Sequence, residues 1–177
     1  NPVITLNSVK KHPGLWNPVI DTMIVENPSA TEDEILWLLI DKVGEKAAKI
    51  LLPVYEKTKG EKGKLSLQVN PKYYRNADAM FEQGKCLASL APNIAIKCPA
   101  LPAGIEAMEK LTSIGISVNA TVSFTVPQAV QVAKAIERGL TQAQTSGVDI
   151  TNVTPYVTIM VGRIDDHLKR QREIENI

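Results

Sequence analysis

From Leu65 onward, short apolar runs alternate with longer segments in which apolar residues recur at helical spacing. The runs are LSLQV (Leu65 to Val69), IAIKC (Ile94 to Cys98), ISVNATV (Ile116 to Val122) and YVTIMVG (Tyr156 to Gly162). Ala77, Met80, Phe81, Gly84, Leu87, Ala88 and Ala91 mark one helical face, and Ala129, Val130, Val132, Ala133 and Ile136 another. Strand and helix in strict alternation are the pattern of βα units on a parallel sheet. The helix starts are well signalled. Asn70 and Pro71 place a capping side chain before a proline, and TVPQ (Thr125 to Gln128) has capping-box spacing. Upstream, TEDE (Thr31 to Glu34) is a second box, and ILWLLIDKVGEKAAKILLPVYEK (Ile35 to Lys57) reads as one helical region with a kink or break at Pro53. KTKGEKGK (Lys57 to Lys64) reads as a solvated loop. ILWLLI (Ile35 to Ile40) is apolar on more than one helix face, which serves either a homo-oligomer contact or internal packing.

Successive strand side chains point to opposite faces, so each strand divides into two sets. One set is apolar: Leu65, Leu67 and Val69; Ile94, Ile96 and Cys98; Ile116, Val118, Ala120 and Val122; Val157, Ile159 and Val161. The other collects the polar residues: Ser66, Gln68 and Asn70; Lys97; Ser117, Asn119, Thr121 and Ser123; Thr158. Four strands agree in phase. Open doubly wound sheets are covered on both faces and read as near-continuous apolar runs, whereas a (β/α) barrel can line its mouth with functional groups. The segregation therefore predicts an α/β fold with a parallel TIM-type barrel, as a single domain over 1–177.

Composition narrows the function. The 177 residues carry 20 basic and 19 acidic side chains, a net charge of +1, which gives no field for nucleic acid and gathers no basic stripe. Cys86 and Cys98 fall in a helical and a strand pattern, so no disulfide framework is expected and a reducing cytoplasm fits best. His12 and His167 lack ligand neighbours at metal spacing and read as surface histidines. No apolar run is long enough to cross a membrane, and NPVITLNSVKK has no signal-peptide layout. Trp16 and Trp37 read as core or interface anchors rather than stacking platforms.

Lys97 is the residue that asks for an explanation. An ammonium directed into a confined interior loses hydration, and the run around it supplies no carboxylate. Burial favours the neutral amine, which attacks a carbonyl and forms a Schiff base. The alternative is a structural lysine in a wet layer where serine, threonine and asparagine satisfy one another.

IKCPALPAGIEAMEKL (Ile96 to Leu111), followed by ISVNATVSFT (Ile116 to Thr125) and VTIMVGRIDD (Val157 to Asp166), resembles the transaldolase family, Schiff-base class I aldolases on a (β/α)8 barrel. The opening NPVI resembles the end of that family's first signature, on an early strand. The resemblance implies that Lys97 is the Schiff-base lysine, holding a ketose phosphate as an imine and then as an enamine. It implies that Asn119 and Asn1 bind substrate, that Thr121 helps hold a catalytic water, that Thr158 faces the substrate, and that Arg163 lies near the phosphate. A guanidinium suits that place because its fork binds phosphate oxygens bidentately.

Gln68 stands where transaldolases carry a proton-relaying glutamate. Glutamine can position a water but cannot take its proton, a point of likeness to the fructose-6-phosphate aldolase subgroup. Leu101 replaces a serine or threonine of the lysine signature, and Cys98 an aliphatic residue. The family's first strand with its aspartate, most of the second, and the last two have no counterpart. The chain is thus expected to cover the second to sixth βα units of a barrel incomplete at both ends, with strand edges that need cover. The expected activity is transfer of a three-carbon dihydroxyacetone unit between sugar phosphates, with no cofactor or metal implied. The alternatives are simple aldol cleavage and a barrel remnant that binds sugar phosphate, or a partner chain, without turnover.

Overall fold

The computed structural model describes residues 1–175. Three helices come first: α1 (Pro2–Lys11), α2 (Pro13–Glu26) and α3 (Glu32–Lys57). Then follow β1 (Leu65–Gln68), a 3-10 turn (Pro71–Tyr73), α4 (Ala77–Ala88), β2 (Ile94–Pro99), α5 (Pro102–Ser113), β3 (Val118–Ser123), α6 (Val126–Thr145), β4 (Tyr156–Ile159) and α7 (Val161–Glu175). The four strands form one parallel sheet in the order β1-β2-β3-β4. Each pair is joined through a helix, as parallel neighbours require.

The expected caps are present. Thr31 and Glu34 close one capping box at the start of α3, and Thr125 and Gln128 close another at α6. Asn70 accepts from the Lys72 amide, and Asn76 caps α4. Two expectations change here. NPVI does not end a strand: Asn1 N-caps α1 and Pro2 occupies its first turn, the position where a missing N–H costs nothing. Nor does Pro53 break α3, which runs through it for 26 residues. Pro53 and Lys49 both lie on the exposed side of the helix, where a carbonyl that proline leaves without a helical partner is open to solvent.

One face of the sheet builds the core. Leu67, Ile94, Ile96, Cys98, Val118 and Ala120 pack with Met80, Leu87, Met108, Leu111, Val132 and Ile136 from α4, α5 and α6. Helices α5 and α6 meet closely at Gly139, where an added Cβ would lie 2.0 Å from Thr112 Oγ1 and 2.5 Å from the Glu109 carbonyl. At the lower end, buried Asn93 donates to the carbonyls of Ala48 and Gly63, both at 2.9 Å, tying α3 to the start of β2. Of ILWLLI, Leu39 and Ile40 are buried while Leu36 and Leu38 remain exposed.

The apolar set departs from expectation on the last two strands. Val157 and Ile159 are 38% and 43% exposed, because β4 is an edge strand and α7 has no buried residue. Val161 begins α7 rather than extending β4, and the Met160 amide makes the last ladder bond, to the Ser123 carbonyl. Within β3 a bulge intervenes: Ala120 pairs with Val157 but Ser123 with Ile159, three steps against two. Val122 absorbs the extra residue at φ 57°, a left-handed conformation that costs a β-branched residue about 1–3 kcal/mol. The slip turns Ser123 from the polar face to the helix-packed face. There it is fully buried, and among the described residues its hydroxyl has no hydrogen-bond partner.

Candidate active site

Lys97 is the fourth of the six residues of β2. Its parallel neighbours are Gln68 on β1 and Asn119 on β3, so the lysine stands between two side-chain amides on the polar face. Alternation explains the contrast with the next residue. Cys98 turns into the core, where burial pushes its thiol up to about 12 and makes it a poor nucleophile, while Lys97 is half-buried on the open side. Among the described residues Lys97 Nζ enters no hydrogen bond and no ion pair.

Around it lies a connected set of polar groups. Thr158 Oγ1 donates to Asn119 Oδ1 at 2.8 Å, and Asn119 Nδ2 donates to Ser66 Oγ at 2.9 Å. On the other flank Asn1 Nδ2 donates to Gln68 Oε1 at 3.4 Å, a long contact. Gln68, Lys97, Asn119, Thr158 and Asn1, read separately from the sequence, are thus brought to one face. The arrangement offers an amine with amide and hydroxyl groups on both sides and no carboxylate among its paired neighbours. It suits attack on a carbonyl in a polyhydroxylated molecule.

Two residues stand apart from that set. Thr121 is buried, and its hydroxyl faces the Met160 sulfur at 3.7 Å. Arg163 lies in the first turn of α7, exposed, in a cleft of about 310 Å³ with Met160 and Asp166. A cleft of about 740 Å³ lies elsewhere, between the α2–α3 turn, the first half of α3 and α4, lined by Trp37, Asp41, Tyr73 and Gln83 among others. Sequence patterning placed Ser66 on the polar face without a task. Its bond to Asn119, two strands away, depends on sheet curvature, which periodicity does not carry.

The Transaldolase/Fructose-6-phosphate aldolase family model matches residues 1–177. The chain belongs to the transaldolase/fructose-6-phosphate aldolase family. It is 34% identical over 143 residues to Transaldolase 1 of Streptomyces avermitilis, covering 80% of this chain and 38% of that protein. Transaldolase 2 of Streptomyces coelicolor is 30% identical over 173 residues, 97% of this chain and 46% of the relative. Transaldolase of Thiobacillus denitrificans is 35% identical over 121 residues, 67% and 34% of the respective chains. The chain therefore spans less than half the length of these relatives. The family fold is a TIM barrel, and the four-stranded parallel sheet of this member is consistent with part of one. Among the described residues no helix is long and apolar enough to cross a membrane.

Proposed function

We propose that this chain carries the Schiff-base portion of a transaldolase-type active site, acting in the cytoplasm on sugar phosphates. The observation that carries the reading is Lys97 held in register between Gln68 and Asn119, with Ser66 and Thr158 extending the polar face. The neutral amine of Lys97 adds to the carbonyl carbon of a ketose phosphate, and loss of water gives the iminium. The hydroxyl on the second carbon from the iminium carbon gives its proton to a water held by Gln68 and Thr121. The bond joining that carbon to the intervening one breaks with its electron pair moving into the iminium, so that an enamine and an aldehyde result; the proton returns to the new hydroxyl when the acceptor is attacked. The three-carbon enamine then attacks an acceptor aldehyde, and hydrolysis restores the lysine.

Each neighbour has a task in this scheme. Asn119, Asn1 and Thr158 hydrogen-bond donor hydroxyls. Thr121 and Gln68 position a water. Arg163 receives the phosphate at the entrance to α7, where the helix N-terminus adds favourable backbone N–H groups. Replacing Lys97 by Arg keeps the charge and removes an attainable neutral amine. Turnover is expected to vanish while the fold is kept, and retained turnover overturns the reading.

A second reading, simple aldol cleavage with a proton as acceptor, is favoured by Gln68, which cannot act as the base of a two-substrate transfer. The two separate on whether turnover needs an added aldose phosphate. Release of free dihydroxyacetone in its absence supports cleavage.

A further inference from the structure

We propose that Ser66 is a positioning residue for Asn119, and that Ala95 is kept small to let the two meet across the strand between them. The proposal deepens the lysine-imine reading and rests on it. Ser66 is on β1 and Asn119 on β3, yet Asn119 Nδ2 reaches Ser66 Oγ at 2.9 Å. On the intervening β2, Ala95 is the register partner of Ser66 and Lys97 that of Asn119. Alternation puts Ala95 on the same face as Lys97, one layer below it. Ala95 is 0% exposed. Its single methyl group leaves the gap through which the amide passes, and a branched side chain there would stand between donor and acceptor.

The bond matters because of what sits at the other end of the same amide. Thr158 Oγ1 donates to Asn119 Oδ1 at 2.8 Å, so hydroxyls from β1 and β4 anchor both ends of one side chain. An asparagine held at both ends cannot flip its amide without exchanging both partners. One N–H and one oxygen lone pair remain available. That N–H belongs to the strand neighbour of Lys97, placed to donate to an oxygen of whatever the lysine holds. Preorganised donors of this kind act without reorganising during reaction.

The test uses the 177-residue chain with Ser66→Ala, Ser66→Thr and Ala95→Val, each checked for folding by circular dichroism. Two readouts are taken: exchange of the Asn119 side-chain amide, by NMR on protein labelled with 15N asparagine, and kcat and KM with borohydride trapping of Lys97. In the parent protein the Asn119 amide protons are expected to exchange slowly. Ser66→Ala and Ala95→Val release them, while Ser66→Thr, which keeps the hydroxyl, retains protection. Loss of the anchor lowers kcat roughly tenfold, the rate equivalent of one ordinary hydrogen bond, with the Lys97 adduct still formed. A protected Asn119 amide with no Lys97 adduct in the parent protein overturns the catalytic reading and leaves Ser66 as the anchor of Asn119. An amide that exchanges as fast in the parent as in Ser66→Ala overturns the positioning role, as does unchanged kcat in a Ser66→Ala protein that forms the adduct.

Discussion

Two lysines of this molecule lie at opposite ends of the same sheet and meet opposite surroundings. Lys64, one residue before β1, donates to the carbonyls of Gly60 and Asn152 at 2.8 and 2.6 Å and to Thr154 Oγ1 at 2.9 Å, with the Tyr55 ring 5.3 Å away. Its ammonium is saturated. Burial pushes its pKa below the ordinary lysine value, yet three oxygens occupy all its donors and leave no lone pair for chemistry. Lys97, inside β2, has amides as strand neighbours and among the described residues no bound partner. Desolvation alone therefore does not make a lysine a nucleophile; what it is tied to decides. In a (β/α) arrangement the lower rim serves stability and the upper rim chemistry, and the proposed function divides these two side chains along that line.

Exchanging the fates of the two lysines gives the largest effect. Lys97→Arg is expected to abolish turnover with a melting temperature within a few degrees of the parent's, as followed by coupled assay and thermal denaturation. Lys64→Met should do the reverse. Removing the ammonium strands the oxygens it serves and costs about 1–3 kcal/mol of stability, several degrees in Tm, with kcat unchanged. Activity lost at Lys64 but kept at Lys97 would break the comparison.

A smaller effect is expected at the neighbour of Lys97. Gln68→Glu supplies the missing base and should raise the ratio of transfer to simple cleavage, measured as products with and without an aldose phosphate acceptor. An unchanged ratio removes Gln68 from the proton relay.

The smallest effect sharpens the point about desolvation. Asp41 on α3 is half-buried, and burial pushes its carboxyl up from the ordinary 3.8 to about 6. An acid whose folded pKa is raised is disfavoured when ionised. Its cost to stability is absent below pH 3.8, grows as the pH rises toward about 6 and is full above it. Asp41→Asn is therefore expected to melt slightly higher than the parent at pH 7.5. The gap narrows through pH 6 and vanishes below about pH 3.8, with kcat unchanged throughout. A constant gap across that range would contradict the burial account.

The parallel order of four βα units and the side-chain phase of β1 and β2 were legible from apolar spacing, because both strands are regular and their apolar side packs against helices, with only Leu65 partly buried. The same reasoning slipped where regularity ends. Counting by twos along β3 carries Ser123 to the polar face, but the left-handed Val122 inserts one residue and reverses everything after it. Val157 and Ile159 have the residue types of a core strand, yet lie on an edge strand that α6 covers only in part and over which α7 buries nothing. Only the motif points to Arg163, whose position depends on how α7 leaves β4, which no local pattern encodes. Ser66 and Ala95 were invisible as a pair, since their relation exists only where β1, β2 and β3 curve together.

The most direct measurement is borohydride reduction in the presence of dihydroxyacetone or fructose 6-phosphate, followed by peptide mass spectrometry. A reduced three-carbon adduct is expected on Lys97 and none on Lys64. A folded protein that yields no adduct, or one on a lysine other than Lys97, would contradict the Lys97 imine mechanism.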